Sequence, residues 1–424
     1  MKKALPEDRG DSGPSCFILA GGSGDRLRPL TLAVPKPLLP FGAVHRLLDF
    51  TLSNVRNSGL SRAYVLSQYM HEDIGRHLGM YWRSPGPGRT ARFLNQPPTS
   101  GKRYRGTADA VAHNMEFVAS GPNGLDPVLI LSADHVYRMD YRKLLARHAS
   151  SGAGATVAAI PVPRDAARQF GVISADGSGR ILSFEEKPAD PIPFPGRERM
   201  ALANMGVYVF SGWILRRAFA DLRYRTAALD FGRDVLPWMA ARDLAQVYQA
   251  GEDENAAYWR DVGTLTAYHD CHMEWLDGRM GFDTCDAAWP MYAPGDRVVR
   301  ASSGAWGGTG RSVAAASALV RDSRVERSVV GEDVVIEDGA DVRNSVLLPG
   351  ARIGQGAAVR NAIVAEGARV AAGDRVGFDR SDDLERFGVT ETGIVIVPAC
   401  FRERIEAVPR KPTRPPMGTE VNAG

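Results

Sequence analysis

From Phe17 to about Asp277 the chain alternates short apolar runs with longer stretches of helical period. Apolar runs bounded by turn formers fit strands buried on both faces. They predict strands at Phe17–Ala20, Ala63–Ser67, Val128–Ser132, Thr156–Pro161, Val172–Ser174, Ile181–Phe184 and Gly206–Phe210. Helices are expected between them, at Asp49–Ser58, Glu72–Leu78, Thr107–Ala119, Tyr141–Ser150, Trp213–Asp221, Phe231–Ala241 and Thr264–Leu276. Such alternation requires crossover connections, which put parallel strands in one sheet with helices on both faces, an α/β architecture. Ligands of these sheets gather beyond the C-terminal strand ends.

The pattern changes near Val330. Apolar residues then recur about every six positions, at Val330, Ile336, Val342 and Leu348, slip by one residue to Ile353 and Val359, and continue through Val364, Val370 and Val376. Gly, Asp, Asn and Glu fill the gaps. A six-residue repeat of short strands and turns predicts a hexapeptide β-helix, whose rungs bury a core only when stacked. An ordinary β-sandwich would not hold that spacing so long. The expected organisation is therefore a tail at 1–14, an α/β domain at 15–277, a linker packed on both domains at 278–319, a β-helix domain at 320–395 and a C-terminal tail at 396–424, Pro-rich and polar from Val408 onward. Residues 1–14 and Val408–Gly424 are expected to be disordered. The Pro, Gly, Ser and Arg-rich segment from Tyr81 to Lys102 has no clear period and reads as a long mobile loop.

Composition narrows the classes. A length of 424 residues suits two or three domains rather than one core. A net charge of +3 gives no reason to expect nucleic acid or an anionic membrane as partner. With neither a long apolar span nor an apolar signal core after the first lysines, the expectation is a cytoplasmic protein. Cys16, Cys271, Cys285 and Cys400 form no CxxC pair, which argues against a metal knuckle or a disulfide framework. Cys271 and His272 are neighbours, but adjacent side chains on a helix diverge by about 100° and do not make a nucleophile and its base.

Candidate chemistry begins where the first apolar run ends. Gly21, Gly22, Ser23 and Gly24 follow Ala20, and Arg26 and Arg28 follow them. Glycines turn sharply and expose backbone N–H groups, and a helix beginning there would add partial positive charge, so the loop reads as an anion cradle. It is neither a P-loop nor a Rossmann fingerprint. Lys36 is held between Pro35 and Pro37, which restrict the direction of its amine. Asp134 ends the apolar run Val128–Leu131, and Asp261 lies in Tyr258–Gly263; each alone fits a turn or cap, and a pair of carboxylates suits Mg²⁺. Gly106 and Thr107 read as a turn and helix cap.

Five ordered segments carry a resemblance. AGGSGDRLRPLT…PKPLLPFG is similar to the sugar-1-phosphate nucleotidylyltransferase signature GGxGTRLxPLT…KP, and YRGTADAV, FEEKPADP, DFGRDVLP and YWRDVGTLTAY resemble, in order, segments of the glucose-1-phosphate adenylyltransferase family. The resemblance implies a Rossmann-like, mixed and mostly parallel sheet followed by a left-handed parallel β-helix. It implies transfer of a nucleotide from an NTP, ATP in that family, to α-D-glucose 1-phosphate for glycogen synthesis, with Mg²⁺ and a homotetramer or homodimer. Arg26 and Lys36 would contact the triphosphate, Asp134 and Asp261 would hold Mg²⁺, and Lys187 would meet the sugar phosphate. Leu19, Ala20, Gly21, Gly22, Gly24, Gln68, Tyr104, Gly106, Thr107 and Ala108 fall around the nucleotide. Glu186, Asn204, Tyr208, Asp230, Phe231 and Trp259 fall around the sugar, where a carboxylate accepts hydroxyls and an aromatic face covers the ring. Tyr208, Phe231 and Trp259 fit a core equally well.

The chain departs from the family pattern at several positions. Ser23 and Asp25 replace an arginine and a threonine of the loop, Ala133 a glycine, and Asn204 a serine. Val44 stands at a lysine used by many members to bind phosphorylated activators, which puts such control in doubt. Three readings follow: an ADP-glucose synthase with relaxed regulation; a relative recruited to activate another sugar or a cyclitol 1-phosphate such as valienol 1-phosphate, with GTP as an alternative nucleotide; or a non-catalytic regulatory subunit.

Overall fold

A computed structural model describes residues 13–82, 92–98, 103–121, 124–223, 226, 228–251, 257–293, 298–300 and 311–399. Residues 1–12 and 400–424 of the expected tails, Cys400 included, and 83–91 and 99–102 of the predicted loop lie outside the described residues, whereas Ile396 and Val397, expected in the C-terminal tail, belong to the buried strand Val395–Val397 that closes the stack.

A parallel core built from Val128–Ser132, Ser15–Ala20, Arg62–Ser67 and Arg92–Asn95 organises the first domain. Phe17 and Ile18 on one strand and Ile130 and Leu131 on its neighbour are fully buried, as near-continuous apolar runs on a two-sided sheet require. Two expectations need correction here. The segment read as a featureless loop contributes the edge strand Arg92–Asn95, with Phe93 packed under Trp82. The strand predicted at Gly206–Phe210 is the second half of Met200–Phe210, eleven residues long. This strand runs antiparallel to Ala155–Pro163 on one side, and on the other it pairs first with Gly171–Ala175 and then with Val128–Ser132. The sheet is thus mixed. Pairing slips between Val157 and Ala159, and Gly206 takes left-handed backbone beside the slip. The bulge separates the two partners of the long strand and leaves a gap at their ends.

Helices Leu47–Asn57, Tyr141–Ser151, Gly212–Leu222 and Leu265–Leu276 appear within a residue or two of their predicted ends. Thr107–Ala112 is shorter than expected, because the Asn114 side chain bonds back to the Ala110 carbonyl and the chain tightens into a 3₁₀ turn at Met115–Phe117. The glycine loop does not lead into an α-helix. It leads into 3₁₀ turns at Asp25–Leu27, Leu30–Leu32 and Lys36–Leu38, so its anion affinity rests on loop N–H groups rather than a helix dipole.

The C-terminal region stacks short parallel strands into three sheets, with Val325, Val342, Val359 and Val376 in register along one and Val330, Leu347 and Val364 along another. All nine residues of the sixfold series are buried. Registers advance by seventeen residues, as from Val342 to Val359, which explains the slip: one side of each coil is a residue short. Val313–Ala315 and Val298–Arg300 also join this stack. Buried Ser328 and Ser345 occupy successive corners, each hydroxyl accepting the N–H of the next coil, from Ser345 and Ala362. One apolar cluster runs from Leu27, Phe41 and Phe50 through Cys271 and Trp275 into the β-helix. Arg46 pairs with Glu332 at 3.2 Å and Arg327 with Asp277 at 2.8 Å across the same seam. Val44, 2 % exposed, lies in that cluster.

Candidate active site

The gap at the strand ends is a cleft of 480 Å³. Its floor and glycine-loop wall carry Leu19, Gly21, Gly22, Gln68, Tyr104, Gly106 and Thr107; its far wall carries Glu186, Lys187, Asn204, Tyr208, Asp230, Phe231 and Trp259; Asp134 and Asp261 stand between the walls. Ala20, Gly24, Arg26, Lys36 and Ala108 lie outside the lining. Ala108 is fully buried and its N–H goes to the Leu229 carbonyl, and Gly24 packs against the Lys36 stem.

Asp134 and Asp261, distant in sequence, meet through a two-stranded ladder. His135–Tyr137 runs antiparallel to Trp259–Asp261, with Asp261 opposite His135. Between the carboxylates sits Lys36, whose Nζ is 2.6 Å from Asp134 Oδ2 and 3.3 Å from Asp261 Oδ1. A lysine between two prolines in a loop would ordinarily be exposed, but Lys36 is buried, at 8 % exposure. Burial works against its charge, but Asp134 and then Asp261 more than offset this and raise its pKa above the usual ammonium value. Burial likewise pushes the Asp134 carboxyl upward, while Lys36, His135 and the Ser132 hydroxyl together hold it well below the usual carboxylate range. Arg26 lies alongside. A Cβ on Gly263 would come within 3.0 Å of Arg26 Nη2 and 3.2 Å of Asp261 Oδ2, so a glycine there lets guanidinium and carboxylate share the space.

His135 is the residue that sequence reasoning missed. Its Nε2 is 3.5 Å from Asp134 Oδ1 and 3.8 Å from Asp261 Oδ1. Trp259 donates its indole N–H to His135 Nδ1 at 3.2 Å, so in the neutral ring the proton sits on Nε2, toward the carboxylates. A single histidine beside Asp134 gave no periodic signal; only the ladder brings Trp259 to it. Asp134, His135 and Asp261 place their ligand atoms within 4.8 Å of one another, and two carboxylates at that separation fit a hard divalent ion.

On the glycine-loop side, Gln68 accepts the Tyr104 N–H at 2.7 Å and donates to the Tyr104 carbonyl at 3.3 Å, tying that wall to the segment before Thr107. Thr107 is not a helix cap. Its hydroxyl donates to Asp230 Oδ2 at 2.7 Å and accepts the Phe231 N–H at 3.0 Å. Gly106 is extended rather than left-handed, and its role is close approach, since a Cβ would meet the Leu229 carbonyl oxygen at 2.2 Å. On the other wall, Asp230 caps the turn Phe231–Val235 through Gly232 and Arg233. Asn204 donates to the Tyr208 hydroxyl at 2.8 Å and accepts the Gly206 N–H at 3.0 Å. Burial raises the Glu186 carboxyl, opposed by Lys187, whose Nζ is 3.9 Å away, and assisted by Asp230. Tyr208, Phe231 and Trp259 are core residues that also border the cleft. Of the departures from the family pattern, Asp25 is neutralised by Arg28 at 2.7 Å and accepts the Ser23 hydroxyl at 2.8 Å. The Cys271 thiol is buried and pushed up to about 12, chiefly by burial, as suits a core residue.

A mixed sheet with a glycine loop at its strand ends, two carboxylates facing that loop and a stacked β-helix behind defines a nucleotidyltransferase. The chain belongs to the nucleotidyl transferase family, which matches residues 15–278, and residues 294–397 match the GlmU-like C-terminal hexapeptide family. It is 38 % identical over 394 residues to a glucose-1-phosphate adenylyltransferase of Corynebacterium glutamicum, covering 90 % of this chain and 95 % of that protein. It is 40 % identical over 393 residues to the protein of that name from Mycolicibacterium smegmatis, covering 90 % and 96 %. Among the described residues no helix is long and apolar enough to cross a membrane.

Proposed function

We propose that the protein joins an NTP to a sugar 1-phosphate, with ATP and α-D-glucose 1-phosphate as substrates, giving ADP-glucose and pyrophosphate for glycogen-type glucan synthesis in the cytoplasm. The observation that carries this reading is the convergence of Lys36, Asp134 and Asp261 between a glycine-loop wall and a polar, aromatic wall. A phosphate oxygen of the sugar phosphate forms a bond to the α-phosphorus, and the bond from that phosphorus to the bridging oxygen of pyrophosphate breaks. The attacking phosphate is ionised at neutral pH, so no general base is required. Charge gathers on the phosphoryl oxygens and the leaving group, and positioned cations and N–H donors stabilise it. In this reading the loop N–H groups of Gly21 and Gly22 with Arg26 and Lys36 orient the triphosphate, and Lys187 meets the sugar phosphate. Glu186, Asn204 and Tyr208 accept and donate to the hydroxyls, and Trp259 and Phe231 exclude water behind them. Asp134 and Asp261 would hold Mg²⁺, which supplies charge neutralisation of the triphosphate when bound.

A second reading is favoured by Asn204, whose amide replaces the family's serine and aims at Tyr208: the acceptor is then another sugar or a cyclitol 1-phosphate, with GTP as an alternative donor. Pyrophosphate release across a matrix of nucleotides and sugar or cyclitol 1-phosphates separates the two, and Asp134→Ala abolishes it in either case. Preference for a cyclitol over glucose 1-phosphate removes the first reading. Silence with every pair removes both and leaves a regulatory subunit, which the retention of Arg26, Lys36, Asp134, Lys187 and Asp261 argues against. Assembly into a homotetramer or homodimer through the β-helix is part of the proposal and is read by light scattering.

A further inference from the structure

Lys36 is set where the divalent ion of the proposed reaction belongs. Its ammonium lies within 3.3 Å of an oxygen on each of Asp134 and Asp261, and those two residues with His135 form the acidic cluster of metal-binding spacing among the described residues. An Mg²⁺ ion binds carboxylate oxygens at about 2.0–2.1 Å. Held by the same two residues, it would share their carboxylates with a fixed, positively charged nitrogen and be repelled by it. Two carboxylates neutralise one such cation well and both together badly.

The glycine loop lies beside the stem that carries this ammonium. Pro35 and Pro37 fix the backbone on either side, so any movement is confined to the side-chain torsions of Lys36. The stem of the lysine packs on the glycine loop, where a Cβ on Gly24 would come within 2.9 Å of Lys36 Cβ. A rotation of the outer methylenes therefore carries Nζ from the carboxylates toward the loop that would bear a phosphate. Asp134 keeps other donors, since Ser132 donates to Oδ1 and His135 presents Nε2 to it, so its carboxylate stays oriented when the lysine leaves.

We propose that Lys36 is an exchangeable counter-ion: it holds the Asp134–Asp261 pair until a nucleoside triphosphate draws its ammonium onto the phosphates, and only then does the pair accept a divalent ion. The inference rests on the reading of the cleft as a nucleotidyltransferase site. Its consequence is order. The protein without nucleotide binds free metal weakly, and metal enters with the nucleotide.

Manganese(II) binding to the full-length protein without nucleotide, measured by electron paramagnetic resonance, tests this apart from turnover. Lys36→Met keeps the stem and removes the charge, and it is expected to bind Mn²⁺ at least about tenfold more tightly than wild type. Pyrophosphate release by the same variant falls. Lys36→Gln repeats the test if the methionine variant folds poorly, and Lys36→Arg, which keeps the charge, is expected to stay as weak as wild type. Adding Asp134→Asn to Lys36→Met is expected to abolish the gain, which assigns it to this site. Mn²⁺ affinity unchanged or weaker in folded Lys36→Met and Lys36→Gln overturns the exchange. That result leaves the functional reading untouched, because the latter stands on pyrophosphate release by the wild type.

Discussion

The cleft and the β-helix bury their residues for opposite reasons. In the β-helix every coil repeats the one beneath it, so Val325, Val342, Val359 and Val376 stack on one another and each backbone N–H finds the next coil. Buried polar groups there, such as Ser328 and Ser345, are paired by repetition. The cleft has no repeat. It draws on a glycine loop, the ends of two parallel strands, a bulged strand and a small ladder, and it places Lys36 and Asp134 where burial works against their charges, with Asp261 beside them. Translational order supplies stability in one region, and electrostatic compensation among a few side chains supplies chemistry in the other. A substitution in the cleft should then change rate more than stability, and a substitution in the β-helix the reverse.

The largest expected effect tests the first half. Asp134→Asn preserves shape and removes a charge from the pair facing Lys36. Pyrophosphate release should fall by about a hundredfold to a thousandfold, or about 3–4 kcal/mol, by analogy with other positioned electrostatic groups. The unfolding midpoint should move little, because Asp261 still faces the ammonium. A collapse of stability in calorimetry, matching the loss of rate, would show the pair to be structural first.

Next comes the converse substitution. Ile353 is fully buried between Ile336 and Val370 in the coils on either side. Ile353→Ala leaves a cavity that the rigid stack closes poorly, at about 2–5 kcal/mol of stability. At a temperature where the variant remains folded, initial rates should match wild type. If they fall with stability unchanged, the two regions are not separable in the way their packing suggests.

The same contrast decides what was legible beforehand. The sixfold series was visible because one rule, an apolar residue on each side of each coil, governs it, and all of it is buried; Leu348 is one residue off the stack, since its neighbour Leu347 holds the place in register with Val330 and Val364. The parallel strands were visible for a related reason: a strand covered on both faces must be apolar throughout. The corner serines escaped notice, since a polar residue satisfied by its own repeat looks like a turn residue in sequence. So did Arg92–Asn95, an edge strand in polar company, and Met200–Met205, which precedes a glycine of the kind that marks a strand end in sequence. In the site, the glycine loop and the separate aspartates could be singled out by residue type. Their meeting could not, because it depends on a ladder of three residues a side. His135 acquires its setting only through that ladder.

A smaller effect lies at the seam. His272 is buried beside Phe41 and Tyr268, its Nδ1 2.8 Å from the Tyr268 carbonyl, and burial, partly offset by that carbonyl, lowers its pKa to about 3. The unfolded chain takes up this proton near pH 6.5, whereas the folded protein resists it. The contribution to stability is therefore complete above about pH 6.5 and lost as pH falls toward 3, at about 1.4 kcal/mol per unit. His45, also lowered by burial, acts in the same direction. Denaturant titrations at neutral and mildly acidic pH should show the slope, and His272→Asn should reduce it. An unchanged slope would place the acid sensitivity elsewhere, in the charged cleft.

The smallest effect is the most informative about substrate. Asn204 uses its amide twice, donating to the Tyr208 hydroxyl and accepting the Gly206 N–H, and so joins the bulge to the polar wall. Serine, the residue of the family pattern, has one oxygen in place of that pair of groups and too short a stem to bridge both. Asn204→Ser should thus free the Tyr208 hydroxyl and loosen the bulge at about 0.5–1.5 kcal/mol, a change of up to roughly tenfold in KM for the sugar phosphate. Stability should fall by no more than that amount, since Tyr208 keeps its packing on Phe210 and Phe231. The ratio of specificities for glucose and cyclitol 1-phosphates is the measurement that matters. If Asn204 selects the acceptor, the ratio shifts toward glucose in the serine variant; if both substrates weaken equally, the amide serves the bulge alone, and the far wall of the cleft owes its shape to the same backbone pairing that organises the sheet.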